Sequence, residues 1–308
     1  MQKTNRREFL TRTILSGLAV SGGTFLDPSQ CLASEPFKRK GSPRLPLSIA
    51  AYSFRDYFNH KDASKRISLF DFIDYCADQG CQGAELTSYY FPKEVRNDFL
   101  LQVKRHAFLR GIEISGGAVG NNFALPKGEK RDQQLAMVKQ WVDYSAVMGA
   151  PHIRVFAGSP GGTLDLAEAK KMCISGLEEC CEYAGSKGIF LGLENHHGIV
   201  TEPDDLLEIV RAVKSPWFGI NLDTGNFQTD DPYADLAKCA PYAVNVQVKV
   251  EVKRRGQSKA EPSDYAKINR LLRDANYQGY VALEYEAKED PFAAIPGALK
   301  SLKAALNA

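Results

Sequence analysis

The stretch LGLENHHGIV, residues 191–200, ends an apolar run on a glutamate, an asparagine and two histidines. Glu194 and His196 could move protons there, because glutamate and histidine are common general acids and bases. Three further polar side chains stand in or at the end of later apolar runs: Asp223, Gln247 and Glu284. Carboxylate and amide oxygens are ligands that hard divalent cations prefer. The residue types therefore indicate acid–base chemistry next to a metal, provided that the fold brings these side chains together.

Alternation along the apolar runs indicates which side chains share a face. In residues 244–252 every second position is valine, and the positions between are Asn245, Gln247, Lys249 and Glu251. Strand side chains alternate between two faces, so the valines are expected under helices and the polar set on the opposite, inner face. The same alternation places polar side chains on the inner faces of five more strands: Glu85, Arg154, Glu194 with His196, Asp223, and Glu284.

Eight apolar runs alternate with amphipathic helical patterns along the chain. Several helical segments end at a glycine, as at Gly80 and Gly149, which suits the left-handed residue that follows a helix. Eight strand–helix units in succession predict a single (β/α)8 TIM barrel over residues 47–308, with functional groups at the carboxyl ends of the strands. An open doubly wound sheet is the alternative, but no Gly-x-Gly-x-x-Gly follows the first strand. The predicted strands are 47–54, 83–88, 112–118, 152–157, 189–195, 218–223, 244–252 and 280–286.

Three carboxylates converge in such a barrel, those of Glu194, Asp223 and Glu284. Buried carboxylates repel one another and stay protonated unless positive charge lies close to them. One divalent cation would satisfy all three. The alternative is a set of structural carboxylates that are paired with Arg154 and Lys249.

Four motifs stand in order on the last four predicted strands, and these are LGLENH, NLDTGN, VQVKVE and VALEYE. Together they resemble the xylose isomerase-like TIM-barrel superfamily, the sugar phosphate isomerase/epimerase group, over residues 47–303. The resemblance implies a metal-binding glutamate, aspartate, histidine and glutamate at the positions of Glu194, Asp223, Gln247 and Glu284. Gln247 departs from the usual histidine, and the all-oxygen set favours one Mn²⁺ or Mg²⁺ ion over Zn²⁺.

The resemblance also implies catalytic roles. Epimerases of the group move a proton with the glutamates at the positions of Glu194 and Glu284, and dehydratase-like relatives use a histidine at the position of His196. The metal is expected to hold a carbonyl and a neighbouring hydroxyl of a sugar and to stabilise an enediolate. Three inward side chains are expected to bind substrate oxygens: Lys249, Arg154 and Glu85.

These features predict a divalent-metal-dependent sugar isomerase or epimerase that acts on a ketose or keto-sugar. A keto-sugar or inosose-type dehydratase is the alternative, since loss of a β-hydroxyl starts from the same intermediate, and Gln247 and His196 slightly favour it. An endonuclease IV-like DNA-repair enzyme shares the barrel but uses a histidine-rich zinc site, whereas this chain has 5 histidines. A non-catalytic sugar-binding barrel would not require the full carboxylate set.

The N-terminus carries Arg6 and Arg7, then a modestly apolar stretch rich in glycine, then small residues at 31–34. This order is typical of a twin-arginine export signal, which we assign to residues 1–33, with a polar linker over 34–46. We therefore expect a periplasmic protein with no stable membrane insertion once the signal is removed. A disordered basic tail is the alternative.

Composition restricts the partners. The net charge of +2, with 44% hydrophobic and 25% charged residues, is typical of a globular protein and provides no field that would attract nucleic acid. A small sugar is the expected partner, and a homo-oligomer is compatible with the sequence. Cys31 would leave with the signal, and the other six cysteines are interpreted as small core residues.

Overall fold

The eight apolar runs form one closed barrel of parallel strands. In this computed structural model, which describes residues 34–308, the first strand pairs with the last and the sheet closes on itself. The prediction of a single (β/α)8 TIM barrel is confirmed. The barrel strands in chain order are β1 (Leu47–Ala50), β2 (Gly83–Thr87), β3 (Glu113–Ala118), β4 (His152–Val155), β5 (Phe190–Glu194), β6 (Phe218–Asp223), β7 (Ala243–Lys249) and, after a hairpin of β8 (Glu251–Val252) and β9 (Glu261–Pro262), β10 (Val281–Glu284).

Helices follow the strands and pack on the outside of the barrel. Those of the described residues are α1 (Arg55–Phe58), α2 (Leu69–Asp78), α3 (Asn97–Leu109), α4 (Glu129–Met148), α5 (Leu166–Ser186), α6 (Pro203–Ala212), α7 (Pro232–Cys239), α8 (Tyr265–Asp274) and α9 (Pro291–Leu306). Local sequence sets their ends. Ser68 and Asp71 form a reciprocal capping box at the start of α2, and Gly149 takes φ of 86° directly after α4.

The core lies between the barrel and the helices. Ile153 and Val155 of β4 and Leu191 and Leu193 of β5 are completely buried there. Because side chains alternate along each strand, the polar residues between them face the barrel interior, as predicted. The packing of the apolar set thus fixes the direction in which the functional side chains point.

The seventh predicted strand, 244–252, is too long. Strand β7 ends at Lys249, Val250 forms a bend, and Glu251 begins the hairpin, where it pairs with Pro262. Glu251 is therefore exposed instead of facing the barrel interior with Lys249.

Residues 34–46, predicted as a linker, run without helix or strand along the amino ends of the strands. The Phe37 N–H donates to the Pro241 carbonyl at 3.0 Å, and Arg39 Nη2 donates to the Ala243 carbonyl at 2.5 Å. This segment packs at the end of the barrel opposite to the carboxyl ends of the strands.

The predicted export signal, residues 1–33, lies outside the described residues and stays a prediction. No helix within residues 34–308 is long and apolar enough to cross a membrane. The six cysteines of that range are free and buried, in agreement with their interpretation as core residues.

Candidate active site

A cavity of about 220 Å³ opens at the carboxyl ends of the strands. Its position is the one at which TIM barrels carry their functional groups. Five of the residues predicted from sequence line it, namely Arg154, Glu194, His196, Lys249 and Glu284. The lining is completed by Tyr52, Tyr89, Phe156, Asn226 and Glu286.

Glu194, the last residue of β5, is held by partners from β4 and from the turn after β6. Arg154 Nε lies 2.8 Å from Glu194 Oε2, and Asn226 Nδ2 donates to Glu194 Oε1 at 2.8 Å. Arg154 is itself fixed, since its Nη1 donates to the Val119 carbonyl and its guanidinium stacks 4.0 Å from the centre of the Phe156 ring. Both oxygens of the buried carboxylate are thus paired, and its orientation is set before a substrate arrives.

Lys249, the last residue of β7, places a buried ammonium among three carboxylates. Its Nζ lies 2.6 Å from Glu284 Oε2, 3.0 Å from Glu286 Oε1 and 3.2 Å from Asp223 Oδ2. Although burial opposes the charged form, Asp223 and Glu284 raise the pKa of Lys249 well above its usual value. Lys249 is therefore a permanent cation. Its contacts agree with the alternative considered from the sequence, in which the carboxylates are paired with Arg154 and Lys249.

The turn after β6 holds the stem of Lys249. The Lys249 N–H donates to Thr224 Oγ1 at 3.0 Å, and the Thr224 N–H donates to the Gln247 carbonyl at 2.9 Å. A Cβ on Gly225 would lie 2.6 Å from Lys249 Cγ, so only glycine permits this close approach. The NLDTGN motif thereby positions both Asp223 and the lysine that contacts it.

Gln247 and Glu85 belong to a buried polar network instead of the cavity lining. Gln247 Nε2 donates to Glu85 Oε1 at 2.5 Å, and Gln247 Oε1 accepts from Asn221 Nδ2 at 2.6 Å. Glu85 Oε2 accepts from Asn245 Nδ2 at 2.6 Å. These bonds satisfy the amide of Gln247 and the carboxylate of Glu85. Metal binding by Gln247 and substrate binding by Glu85 stay predictions, and the structure gives both residues another role.

Glu194, Asp223 and Glu284 are suitable types of ligand for a divalent cation, but their present arrangement suits such an ion less well. Asp223 Oδ2 is buried and accepts no hydrogen bond from the residues that the structure describes, and its contact with Lys249 Nζ at 3.2 Å is an ion pair that leaves it able to bind another cation. Yet within residues 34–308 no three His, Cys, Asp or Glu side chains lie so that they could jointly hold a metal ion. The ammonium of Lys249 lies where Asp223 and Glu284 come together. Glu194, Asp223 and Glu284 are thus suitable ligands, and Lys249 occupies the space between two of them.

The two glutamates that the sequence predicts to be catalytic differ in proton affinity. Burial raises the pKa of Glu194 above its usual value, and Arg154, which pairs with the charged form, limits that rise. Burial would raise the pKa of Glu284 as well, but Lys249 reverses that shift and holds it below its usual value. Two carboxyl groups whose environments separate their pKa values in this way can serve as an acid and a base in one reaction.

His196 forms an aromatic wall with Phe156, and their ring centres are 4.5 Å apart. Burial, and then the neighbouring His197, lower the pKa of His196 to about 3. The imidazole is therefore neutral near pH 7 and can accept a proton or a hydrogen bond. His197, the next residue, is exposed.

Comparison with known proteins places the fold in a family. The family described as the xylose isomerase-like TIM barrel matches residues 73–305. The chain belongs to this family. Comparison with curated protein sequences found no match.

Several solved structures share the fold at low sequence identity. A D-psicose 3-epimerase from Clostridium cellulolyticum is 15% identical, with a TM-score of 0.70 over 85% of this chain and 99% of that one. A 3-keto-D-glucoside 4-epimerase from E. coli is 17% identical, with a TM-score of 0.64 over 85% and 100%. A probable 3-DHS dehydratase from Bacillus anthracis is 16% identical, with a TM-score of 0.61 over 86% and 99%.

Some residues of this xylose isomerase-like site were missed by the sequence reasoning. Asn226 stands three positions after Asp223 in the quoted NLDTGN motif, and Glu286 shares the inward parity of Glu284, so both had a readable signal. Tyr52 and Tyr89 lie in short segments just after β1 and β2. Their only signal is that residues following barrel strands lie at the functional end.

Proposed function

We propose that this protein is a sugar isomerase or epimerase that moves a proton next to the carbonyl of a ketose or keto-sugar. The observation that supports this most directly is the pair of buried carboxyl groups, Glu194 and Glu284, in one cavity with a fixed cation beside each of them. Proton abstraction beside a carbonyl requires a base, an acid and positive charge near the developing oxyanion. The cavity contains all three.

In this mechanism Glu284, kept ionised by Lys249, takes the proton from the carbon beside the carbonyl. Arg154 and Lys249 lie in the cavity lining and stabilise the negative charge that develops on the enediolate oxygen. Glu194 delivers a proton to the intermediate. Delivery to the former carbonyl carbon, with transfer of the hydroxyl proton to the other oxygen, isomerises the sugar. Delivery to the opposite face of the deprotonated carbon epimerises it.

A divalent cation, Mn²⁺ or Mg²⁺, belongs to the proposal. Glu194, Asp223 and Glu284 are the residues that would hold it, and when bound it would supply Lewis-acid stabilisation of the enediolate. Glu194 and Glu284 would serve both as ligands and in proton transfer, so the metal content of each variant of these residues is measured together with its exchange activity.

The charges of the cavity favour a free sugar over a sugar phosphate. Three carboxylates line it, and both cations, Arg154 and Lys249, already contact carboxylates. A phosphate group would add negative charge to a site without a spare cation in its lining. A free keto-sugar, such as the 3-keto-glucosides on which the E. coli neighbour acts, is the proposed class of substrate.

Solvent exchange tests this proposal without knowledge of the natural product. The protein is incubated with free ketoses and 3-keto-glucosides in D₂O, and loss of the C–H signal beside the carbonyl is followed by proton NMR. We expect exchange with wild type and a loss of at least about 100-fold in Glu284→Gln, because a general base is removed. The control is Glu289→Gln, which removes an exposed carboxylate outside the cavity. Exchange of sugar phosphates but not of free keto-sugars would contradict the substrate class.

A keto-sugar or inosose-type dehydratase is the second proposal, and His196 is the observation that favours it. This neutral imidazole lines the cavity and supplies a third group that could accept or relay a proton during loss of a β-hydroxyl. Dehydration produces an unsaturated carbonyl compound that absorbs in the near ultraviolet, whereas isomerisation and epimerisation do not. An increase in that absorbance that depends on His196 would assign the protein to the lyases.

We also propose export by the twin-arginine route to the periplasm, based on Arg6, Arg7 and the stretch that follows. Replacement of both arginines by lysine should keep the chain in the cytoplasm when cell fractions are compared by immunoblot. Equal periplasmic amounts of the two forms would contradict this route.

A further inference from the structure

Lys249 holds two of the carboxylates that the proposed metal ion needs. Its ammonium contacts Glu284 Oε2 at 2.6 Å and Asp223 Oδ2 at 3.2 Å, and the residue is 7% exposed. A divalent cation between the same two carboxylates would lie next to the positive charge of the Lys249 ammonium. Little water would separate the two cations. Charges of equal sign at such distances repel strongly in a protein interior.

The backbone and the stem of the lysine are fixed in this place, so only the end of its side chain can turn. The Thr224 hydroxyl accepts from its backbone N–H, and Gly225 packs against its Cγ and Cβ. The Glu286 carboxylate, 39% exposed, binds the outer side of the ammonium at 3.0 Å. Glu286 is therefore the partner that would still bind the ammonium if another cation took Asp223 and Glu284.

We propose that Lys249 competes with the divalent cation for Asp223 and Glu284, so that metal binding requires the ammonium to withdraw towards Glu286. The lysine thereby weakens the affinity for metal and keeps the carboxylates compensated when metal is scarce. This inference rests on the metal site of the proposed function and adds how occupancy of that site is controlled.

Calorimetric titration with Mn²⁺ alone tests the competition. Lys249→Met should bind Mn²⁺ at least about 10-fold more tightly than wild type, because a buried positive charge next to the ion is removed. The matched control is Lys259→Met, which removes the same charge from an exposed position and should bind like wild type. Addition of Asp223→Asn to Lys249→Met should abolish the gain, which would locate the binding at this cluster.

Loss of the lysine leaves buried carboxylates without a partner and lowers stability. The rise in melting temperature that Mn²⁺ causes in each variant is a second measurement of binding. A ligand that binds only the folded state raises the melting temperature, whatever the starting stability of the variant. Mn²⁺ should raise the melting temperature of Lys249→Met, and of Lys249→Gln, by more than it raises that of wild type.

Tight Mn²⁺ binding by wild type with no gain in either Lys249 variant would overturn the competition and leave the metal site in place. Absence of Mn²⁺ binding in all variants would overturn both the competition and the metal of the proposed function. Deuterium exchange by the same metal-free preparations would still report on the enzyme activity itself, so the two failures are distinguishable.

Discussion

Arg154 and Glu194 form a buried ion pair, with 2.8 Å between Nε and Oε2, at the point where β4 and β5 reach the cavity. Each side chain is about 5% exposed. A buried charge without its partner is strongly unfavourable, so the two residues depend on each other. The pair also orients the carboxylate that we assign to proton transfer.

Arg154→Met should therefore lower both stability and exchange activity. Breaking a buried pair by removal of one partner costs about 3–5 kcal/mol, which urea denaturation can measure. Arg154→Met combined with Glu194→Gln should recover part of that stability, because the unpaired charge is gone. The control is Arg96→Met, which breaks an exposed pair with Asp98 and should change stability little. Equal stability of Arg154→Met and wild type would contradict the pairing.

Glu85→Gln should lower stability and leave the reaction nearly unchanged. Glu85 accepts hydrogen bonds from Asn245 and Gln247, and a glutamine would turn its own NH₂ group towards one of these donors. An unsatisfied buried donor costs about 1–3 kcal/mol. Urea denaturation and the KM for a keto-sugar are the measurements. Glu284→Gln should differ from Glu85→Gln by a loss of exchange activity.

A rise in KM for Glu85→Gln without loss of stability would instead support the substrate-binding role that the sequence predicts for Glu85. The two roles thus lead to opposite results in the same pair of measurements.

Gly225→Ala should displace Lys249. The added methyl group would lie 2.6 Å from Lys249 Cγ and 3.0 Å from the Glu251 carbonyl, so the stem of the lysine or the backbone must move. Overpacking of this kind costs about 1–3 kcal/mol, and we expect slower deuterium exchange as well. Gly297→Ala is the control, since no atom lies within 4 Å of its added methyl and alanine favours the helix by about 1 kcal/mol. Unchanged exchange in Gly225→Ala would contradict the claim that this turn positions Lys249 for the reaction.

Much of this site could be predicted from the sequence, because the face of a strand on which each side chain lies depends on the residues of that strand. Alternating apolar positions in β5, β6 and β10 were sufficient to place Glu194, Asp223 and Glu284 inside the barrel. A shift by one residue would expose the whole apolar set, so the facing of each strand is strongly determined.

The position of a side chain along the barrel axis could not be predicted in the same way. Glu284 pairs with Lys249 across β10 and β7, whereas Gln247 pairs with Ala282, two residues lower. This register depends on the stagger of the closed sheet, which no single strand encodes. The sequence therefore proposed Gln247 as a metal ligand without showing that Lys249 stands at the level of Glu284.

The buried cysteines allow a prediction about the folded chain as a whole. Burial raises the pKa of Cys81, Cys180 and Cys239 to about 12, so at pH 8 these thiols carry about a thousandfold less thiolate than unperturbed cysteines. In a Cys31→Ser variant, native protein should react slowly with a thiol reagent, and protein in guanidinium should expose six thiols. Rapid reaction of two or more thiols in the native protein would contradict this burial. Slow reaction would agree with the predicted export route, because a chain that folds before export reaches the oxidising periplasm with its thiols already protected.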